Sequence, residues 1–127
     1  MSQLLNRMDI KGPKKILALD GGGIRGIMTI EILSVVEEML RKALGQKEDF
    51  VLSDYFDFIA GTSTGAIIAT CIAFGKPMSE IRDFYVSSGK EMFDKASILK
   101  RFQYKFEDDK LAKKMRRIFG EETTLGS

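Results

Sequence analysis

The sequence predicts an α/β fold built on a parallel sheet. Three observations carry that prediction. Two short apolar runs, Lys15-Ile16-Leu17-Ala18-Leu19-Asp20 and Phe56-Asp57-Phe58-Ile59-Ala60, each end in a turn that contains glycine. Each turn opens a longer segment of helical character. The order strand–helix–strand–helix is that of parallel strands joined by a right-handed crossover. Two strands do not make an independent sheet of this kind, so the chain reads as the first part of a larger domain.

Residues 1–14 read as a polar arm that Gly12-Pro13 closes. The run from Lys15 to Asp20 suits a strand buried on both faces. A helix follows from about Ile27 to Leu44, with Ile30, Leu33, Val36, Leu40 and Leu44 at helical spacing. Glu37 with Arg41, and Glu38 with Lys42, form i,i+4 pairs on its outer side. Gly45 is placed to end it. After a polar loop at residues 46–50, Ser53 and Asp54 start a short helical turn. The second strand leads into an apolar helix that reaches Phe74 and stops at Gly75. Lys76-Pro77 connects to a helix from Ser79 to about Ser88, with Ile81, Phe84 and Tyr85 on one face. Gly89 is expected to interrupt it, and Glu91-Met92-Phe93 to add a turn. Asp108 or Asp109 caps a last helix that runs to Phe119 and ends at Gly120. Leu111, Met115 and Ile118 form its apolar face; Lys110, Lys113, Lys114, Arg116 and Arg117 supply a basic side.

Composition narrows the function classes. With 127 residues, 44% of them hydrophobic, the chain is one domain at most and can bury a core. A net charge of +2 gives no strong field for nucleic acid. No signal peptide is visible, and the apolar helix over residues 64–74 is too short to span a bilayer. The expectation is a cytoplasmic protein, soluble or peripheral to a membrane. Cys71 is the single cysteine, which excludes an internal disulfide and fits a reducing compartment. Its place in an apolar helix reads as a buried structural thiol. There is no His and no cluster with metal-ligand spacing, so neither a metal nor a cofactor is expected.

Two motifs carry chemistry. Gly61-Thr62-Ser63-Thr64-Gly65 has the order strand, G-x-S-x-G, helix that a nucleophile elbow requires. The turn is too tight for side chains at its flanks, so glycines stand two residues either side of the serine. Upstream, Asp20-Gly21-Gly22-Gly23-Ile24-Arg25-Gly26 puts several unobstructed N–H groups after a strand, a nest for an anion. Two anions fit. One is the oxyanion of an acyl-transfer intermediate, since adjacent parallel strands would bring residues 21–23 beside Ser63 and Arg25 adds positive charge. The other is a dinucleotide pyrophosphate, since Gly21-x-Gly23-x-x-Gly26 matches the Rossmann fingerprint, with Lys47-Glu48-Asp49 in range of its acidic position. A serine also needs a base. Without His a Ser-His-Asp triad is impossible, whereas a carboxylate can serve directly in a Ser-Asp dyad. Asp20, Asp54, Asp57, Glu80, Asp83 and Glu91 are poorly placed for it, and these residues do not name the base.

Together the two motifs, with Asp54-Tyr55-Phe56-Asp57-Phe58-Ile59-Ala60 leading into the second, resemble the patatin-like phospholipase family. The similarity runs from about residue 15 to the end and includes Thr123-Thr124-Leu125-Gly126. The resemblance implies a three-layer, parallel-sheet patatin-like fold related to the α/β-hydrolases, with residues 15–127 as its N-terminal part. It implies a phospholipase A-type lipid acyl hydrolase acting on phospholipid or another acyl-ester lipid. Ser63 matches the nucleophile. Gly22 and Gly23, with Arg25 beside them, match the oxyanion hole; Gly21, Gly26, Gly61 and Gly65 are motif positions. The family's aspartate lies in a later Asp-Gly-Gly or Asp-Gly-Ala motif. The one Asp-Gly here is Asp20-Gly21, so the dyad's aspartate is expected beyond residue 127. A dinucleotide-binding module and a non-catalytic truncated patatin-like module stay open as alternatives. Residues 95–117 hold nine Lys/Arg against three acids among aromatic and aliphatic residues. They read either as a docking face for an anionic lipid surface or as a solvated helix side over a core stripe.

Overall fold

The computed structural model describes residues 11–93 and 108–123. The chain divides into two compact units, one up to Asp83 and one from Phe84 onward. The N-terminal arm up to residue 10, the basic run at 94–107 and the end from residue 124 lie outside the described residues.

In the first unit, β1 (Ile16–Leu19) lies parallel to β2 (Phe58–Gly61), with Ile16 opposite Phe58 and Leu19 opposite Gly61. The chain between them forms a 3-10 turn (Gly23–Arg25), helix α1 (Gly26–Ala43) and the single turn α2 (Leu52–Tyr55). The register is pinned at its start. The carbonyl of Lys15 accepts the N–H of Asp57 at 2.8 Å, and the Lys15 N–H donates to Asp57 Oδ2 at 2.8 Å. The second residue of the pair thus satisfies the backbone where the ladder begins.

Helix α3 (Thr64–Ala73) packs on both strands and against α1. Its Ile68, Ala69, Cys71 and Ile72 join Leu19, Ile30, Leu33, Phe50, Leu52, Met78 and Ile81 in the core. Burying the aliphatic members of this set drives the unit together, at roughly 1.5–3 kcal/mol for each fully buried side chain of Leu or Ile size. The strands are covered on one face only. Leu19 is buried, whereas Ile16 is 63% and Phe58 61% exposed. The expected strand buried on both faces is therefore corrected: Ile16 and Ala18 stand on the open side.

Helix α1 ends as expected. Gly45 takes φ +60, its N–H donates to the Lys42 carbonyl at 3.1 Å, and Gln46 N–H reaches the Arg41 carbonyl at 2.9 Å. The same two-bond C-terminal motif closes α3, with Gly75 at φ +73. Within α1, Gly26, Ile30 and Leu33 are buried. Met28, Ile32, Val35 and Met39, spaced 4-3-4, form a second apolar stripe that is 59–65% exposed. The pairing of Glu38 with Lys42 is present at 2.9 Å, but Arg41 binds Glu38 rather than Glu37. Glu37 points inward instead, accepting the Met78 N–H at 3.1 Å. It lies seven residues after Ile30 and four after Leu33, on the buried face, so the outer pair with Arg41 is corrected.

Helix α4 (Met78–Phe93) opens with the Lys76–Glu80 pair at 2.7 Å and crosses the division between the units. It runs through Gly89, where an interruption was expected. A glycine inside a helix costs about 1 kcal/mol relative to alanine, which weakens a helix without stopping it. In the second unit, α5 (Asp108–Phe119) ends at Gly120, whose φ is +91 and whose N–H donates to the Arg116 carbonyl at 2.8 Å. Lys113, Arg116 and Arg117 are exposed; Met115, Ile118 and Phe119 are half-buried.

Candidate active site

The sheet register carries the glycine turn to the serine. Leu19 faces Gly61, and one step on, the Leu19 carbonyl accepts the Thr62 N–H at 3.0 Å. Two residues beyond the ladder on each strand, Gly21 therefore meets Ser63. A Cβ on Gly21 would stand 2.7 Å from Ser63 Cβ, 2.9 Å from the Thr62 carbonyl oxygen and 3.5 Å from Ser63 Oγ. Glycine at 21 is what allows this approach.

Ser63 is exposed and holds φ +52, ψ −125. Among the described residues it is the one non-glycine with positive φ. Such a conformation costs about 1–3 kcal/mol and persists where the surroundings over-determine it. Here β2 delivers the chain into the turn and α3 leaves it at once. The Gly65 N–H donates to the Thr62 carbonyl at 2.9 Å and the Ala66 N–H to the Ser63 carbonyl at 3.0 Å. Gly61 and Gly65 close on each other: a Cβ on Gly61 would overlap the Gly65 carbonyl and stand 2.7 Å from the Ala66 nitrogen. The hydroxyl is thus presented at the carboxyl end of a strand and the amino end of a ten-residue helix, where the helix dipole favours negative charge.

The facing turn is tied down by threonines. The Gly21 N–H donates to Thr62 Oγ1 at 3.1 Å. Those of Gly22 and Gly23 both donate to Thr64 Oγ1, each at 3.2 Å. Gly23 sits at φ +58, which a side chain would strain. Arg25 donates its backbone N–H to the Gly22 carbonyl at 3.2 Å, and its side chain is exposed with no carboxylate partner among the described residues. Gly26 is buried as the first residue of α1. Gly21, Gly22, Gly23, Arg25 and Gly26 thus lie in one turn, and Gly61, Ser63 and Gly65 in the turn it faces. Thr62 and Thr64 are the residues that sequence reasoning passed over as spacers. The signal was two hydroxyl side chains flanking the serine, opposite a turn rich in bare N–H groups.

Several of the described carboxylates have other occupations. Asp57 accepts the Lys15 N–H, Asp54 accepts the Val51 N–H at 3.1 Å, Glu80 pairs with Lys76, and Glu31 with Arg82. None is hydrogen-bonded to Ser63 Oγ among the described residues. Nor do the described residues contain a group of three or more metal-ligating side chains. The Cys71 thiol is buried, and burial pushes it up to about 11, so it offers little thiolate as a competing nucleophile. Residues 46–50 form a loop, and β2 ends at Gly61-Thr62, where a dinucleotide fingerprint would have an acid.

These features define a class: an α/β protein whose parallel strands set a strained serine turn against a glycine turn. The patatin-like phospholipase family matches residues 17–125, and the chain belongs to that family of lipid hydrolases. It is 32% identical to the cGAMP-activated phospholipase of Vibrio cholerae serotype O1 over 127 aligned positions, covering 91% of this chain and 36% of that protein. It is 44% identical to patatin-like protein 2 of Arabidopsis thaliana over 85 positions, covering 61% of this chain and 20% of that one. It is also 36% identical to the 85/88 kDa calcium-independent phospholipase A2 of Rattus norvegicus over 110 positions, 87% of this chain and 12% of that enzyme. The chain therefore spans little more than a third, or less, of the length of these relatives. Among solved structures none matches significantly.

Proposed function

We propose that this chain supplies the nucleophile and the oxyanion-binding turn of a phospholipase A-type lipid acyl hydrolase. The observation that carries the proposal is the conformation of Ser63: a positive-φ serine at the tip of a strand–turn–helix, against Gly21. Ser63 Oγ attacks the acyl carbonyl carbon, and its proton passes to the aspartate of a Ser-Asp dyad. The carbonyl electrons move onto oxygen. The N–H groups of Gly22 and Gly23 stabilise that oxyanion, each such donor being worth about 3 kcal/mol, and Arg25 adds charge. Collapse expels the lysolipid oxygen, which takes the proton, and water then releases the fatty acid. The dyad's aspartate is assigned to a later Asp-Gly motif of the whole protein, since Asp20-Gly21 already opens the glycine turn.

Labelling with a fluorophosphonate tests the nucleophile. The complete wild-type protein is expected to label and its Ser63→Ala variant to stay dark; equal labelling refutes the assignment. Hydrolysis of a chromogenic acyl ester by the 127-residue chain, abolished by Ser63→Ala, would eliminate a non-catalytic module. Saturable binding of NAD or FAD would favour the dinucleotide reading.

A cytoplasmic, membrane-peripheral encounter with anionic lipid belongs to the same proposal. It is supported by the exposed Lys113, Arg116 and Arg117 on α5. Among the described residues no helix is long and apolar enough to cross a membrane. Charge reversal at these three positions is expected to abolish co-sedimentation with anionic vesicles; unchanged sedimentation rejects the docking.

A further inference from the structure

We propose that Thr64 is a positioning residue for the oxyanion-binding turn. Its hydroxyl gathers the N–H groups of Gly22 and Gly23 at one point beside the serine and yields them to the anion formed there. The inference rests on the reading of Ser63 as nucleophile.

Four observations carry it. First, both N–H groups reach the same oxygen at 3.2 Å, so the two donors converge. Convergence is what an anion-binding nest requires. Second, the threonines supply side-chain acceptors to a turn whose own residues have none to offer. Gly21, Gly22 and Gly23 have no side chains, and Gly23 occupies φ +58, one of several conformations open to glycine. The bonds to Thr62 and Thr64 tie these three amides to the elbow. Third, Thr64 is itself well fixed. It is 7% exposed, begins α3 and is β-branched, so few rotamers are open to it. Being the residue after Ser63, it ties the nest to the nucleophile through one peptide unit. Fourth, the acceptor is neutral and the bonds are long. A negatively charged oxygen attracts the same donors about twice as strongly, so the hydroxyl can hold them in the empty site and be displaced during reaction.

The test is the second-order rate of fluorophosphonate labelling at Ser63 in the complete protein, because the phosphonyl oxygen needs the same donors. Thr64→Val keeps the shape and removes the acceptor; a fall of about tenfold or more is expected. Thr64→Ser keeps the hydroxyl, and a rate within about threefold of wild type is expected. Labelling of Thr64→Val at the wild-type rate or faster overturns the proposal, the faster rate marking a hydroxyl that competes with the anion. If Thr64→Val fails to fold, the wild-type protein decides. Its Gly22 and Gly23 amide resonances are expected to move downfield on phosphonylation of Ser63, as donors passing from a neutral to an anionic acceptor do; unmoved Gly22 and Gly23 resonances overturn it. Ser63→Ala separates the two readings. Labelling of that variant means the nucleophile assignment has failed. A dark Ser63→Ala beside a Thr64→Val that labels normally means that only the role of Thr64 has failed.

Discussion

Gly65 lies against the carbonyl oxygen of Leu19, so close that no side chain fits between helix α3 and the end of β1. A Cβ at Gly65 would stand 2.7 Å from the Asp20 oxygen and nearer still to that of Leu19. Both obstacles are backbone, and the strand pairing holds them in place. Gly65→Ala is therefore expected to cost about 2 kcal/mol or more, since overpacking a rigid contact forces the backbone apart. Gly22→Ala is the contrast. Its Cβ would meet only the Arg25 Cβ, at 3.5 Å, and its φ of 177 is open to any residue. A cost below about 1 kcal/mol is expected there. Urea midpoints of the two variants check the ordering.

The strain at Ser63 makes a prediction of opposite sign. At φ +52 a side chain is disfavoured and glycine is not. Ser63→Gly is expected to be more stable than Ser63→Ala by about 1 kcal/mol, although both remove the hydroxyl. Thermal unfolding of the pair measures it. Equal stability would mean that the turn relaxes and stores no strain. A stabilised Ser63→Gly is the expected mark of a residue kept for its chemistry rather than for its fit.

The parts of the fold legible in the sequence are those set by local chemistry. Gly45, Gly75 and Gly120 end their helices at positive φ because only the next carbonyls and the missing Cβ matter there. Ser63 and its flanking glycines were legible for the same reason, the tightness of the turn being a local fact. Contacts that depend on register were not. The bonds from Gly22 and Gly23 to Thr64 exist because β1 and β2 pair with Leu19 opposite Gly61, and no spacing rule states that pairing. Glu37 is an intermediate case. Its place on the buried face of α1 follows from Ile30 and Leu33, but the amide it caps belongs to Met78, forty-one residues on.

Glu37 gives a pH prediction. Burial raises its carboxyl above the usual value of 4.5, against the lowering effect of the Met78 and Leu52 N–H groups. Its Oε2 is buried and unpaired among the described residues. A raised carboxyl favours the folded state when protonated. That contribution is complete below about 4.5 and is lost as pH rises through the higher folded value. Glu37→Gln keeps an acceptor for Met78 and removes the charge. It is expected to match or exceed wild type in stability at neutral pH, with the difference shrinking as pH falls below the carboxyl's ordinary range. Glu37→Ala loses the acceptor for the Met78 N–H and is expected to lie about 1 kcal/mol below Glu37→Gln at every pH, since neither variant titrates at this position. Urea midpoints across the acid range distinguish the three. A Glu37→Gln advantage that grew toward low pH would contradict the sign.

The stripe Met28, Ile32, Val35 and Met39 bears on handling of the chain. Four large apolar side chains within one arc of α1 are 59–65% exposed, opposite the face that packs in the core. Contiguous apolar surface of this kind promotes association in water, whereas single exposed residues do not. Replacing Ile32 and Met39 by Gln leaves Ile30 and Leu33, the buried pair, untouched. The double variant is expected to bind less of an apolar dye such as ANS and to stay in solution at higher concentration. Its unfolding midpoint should change little, because exposed positions away from caps and cores shift stability by about 0.5 kcal/mol or less. Loss of more than about 2 kcal/mol would instead show that the stripe is packed in the folded protein and contributes to its core.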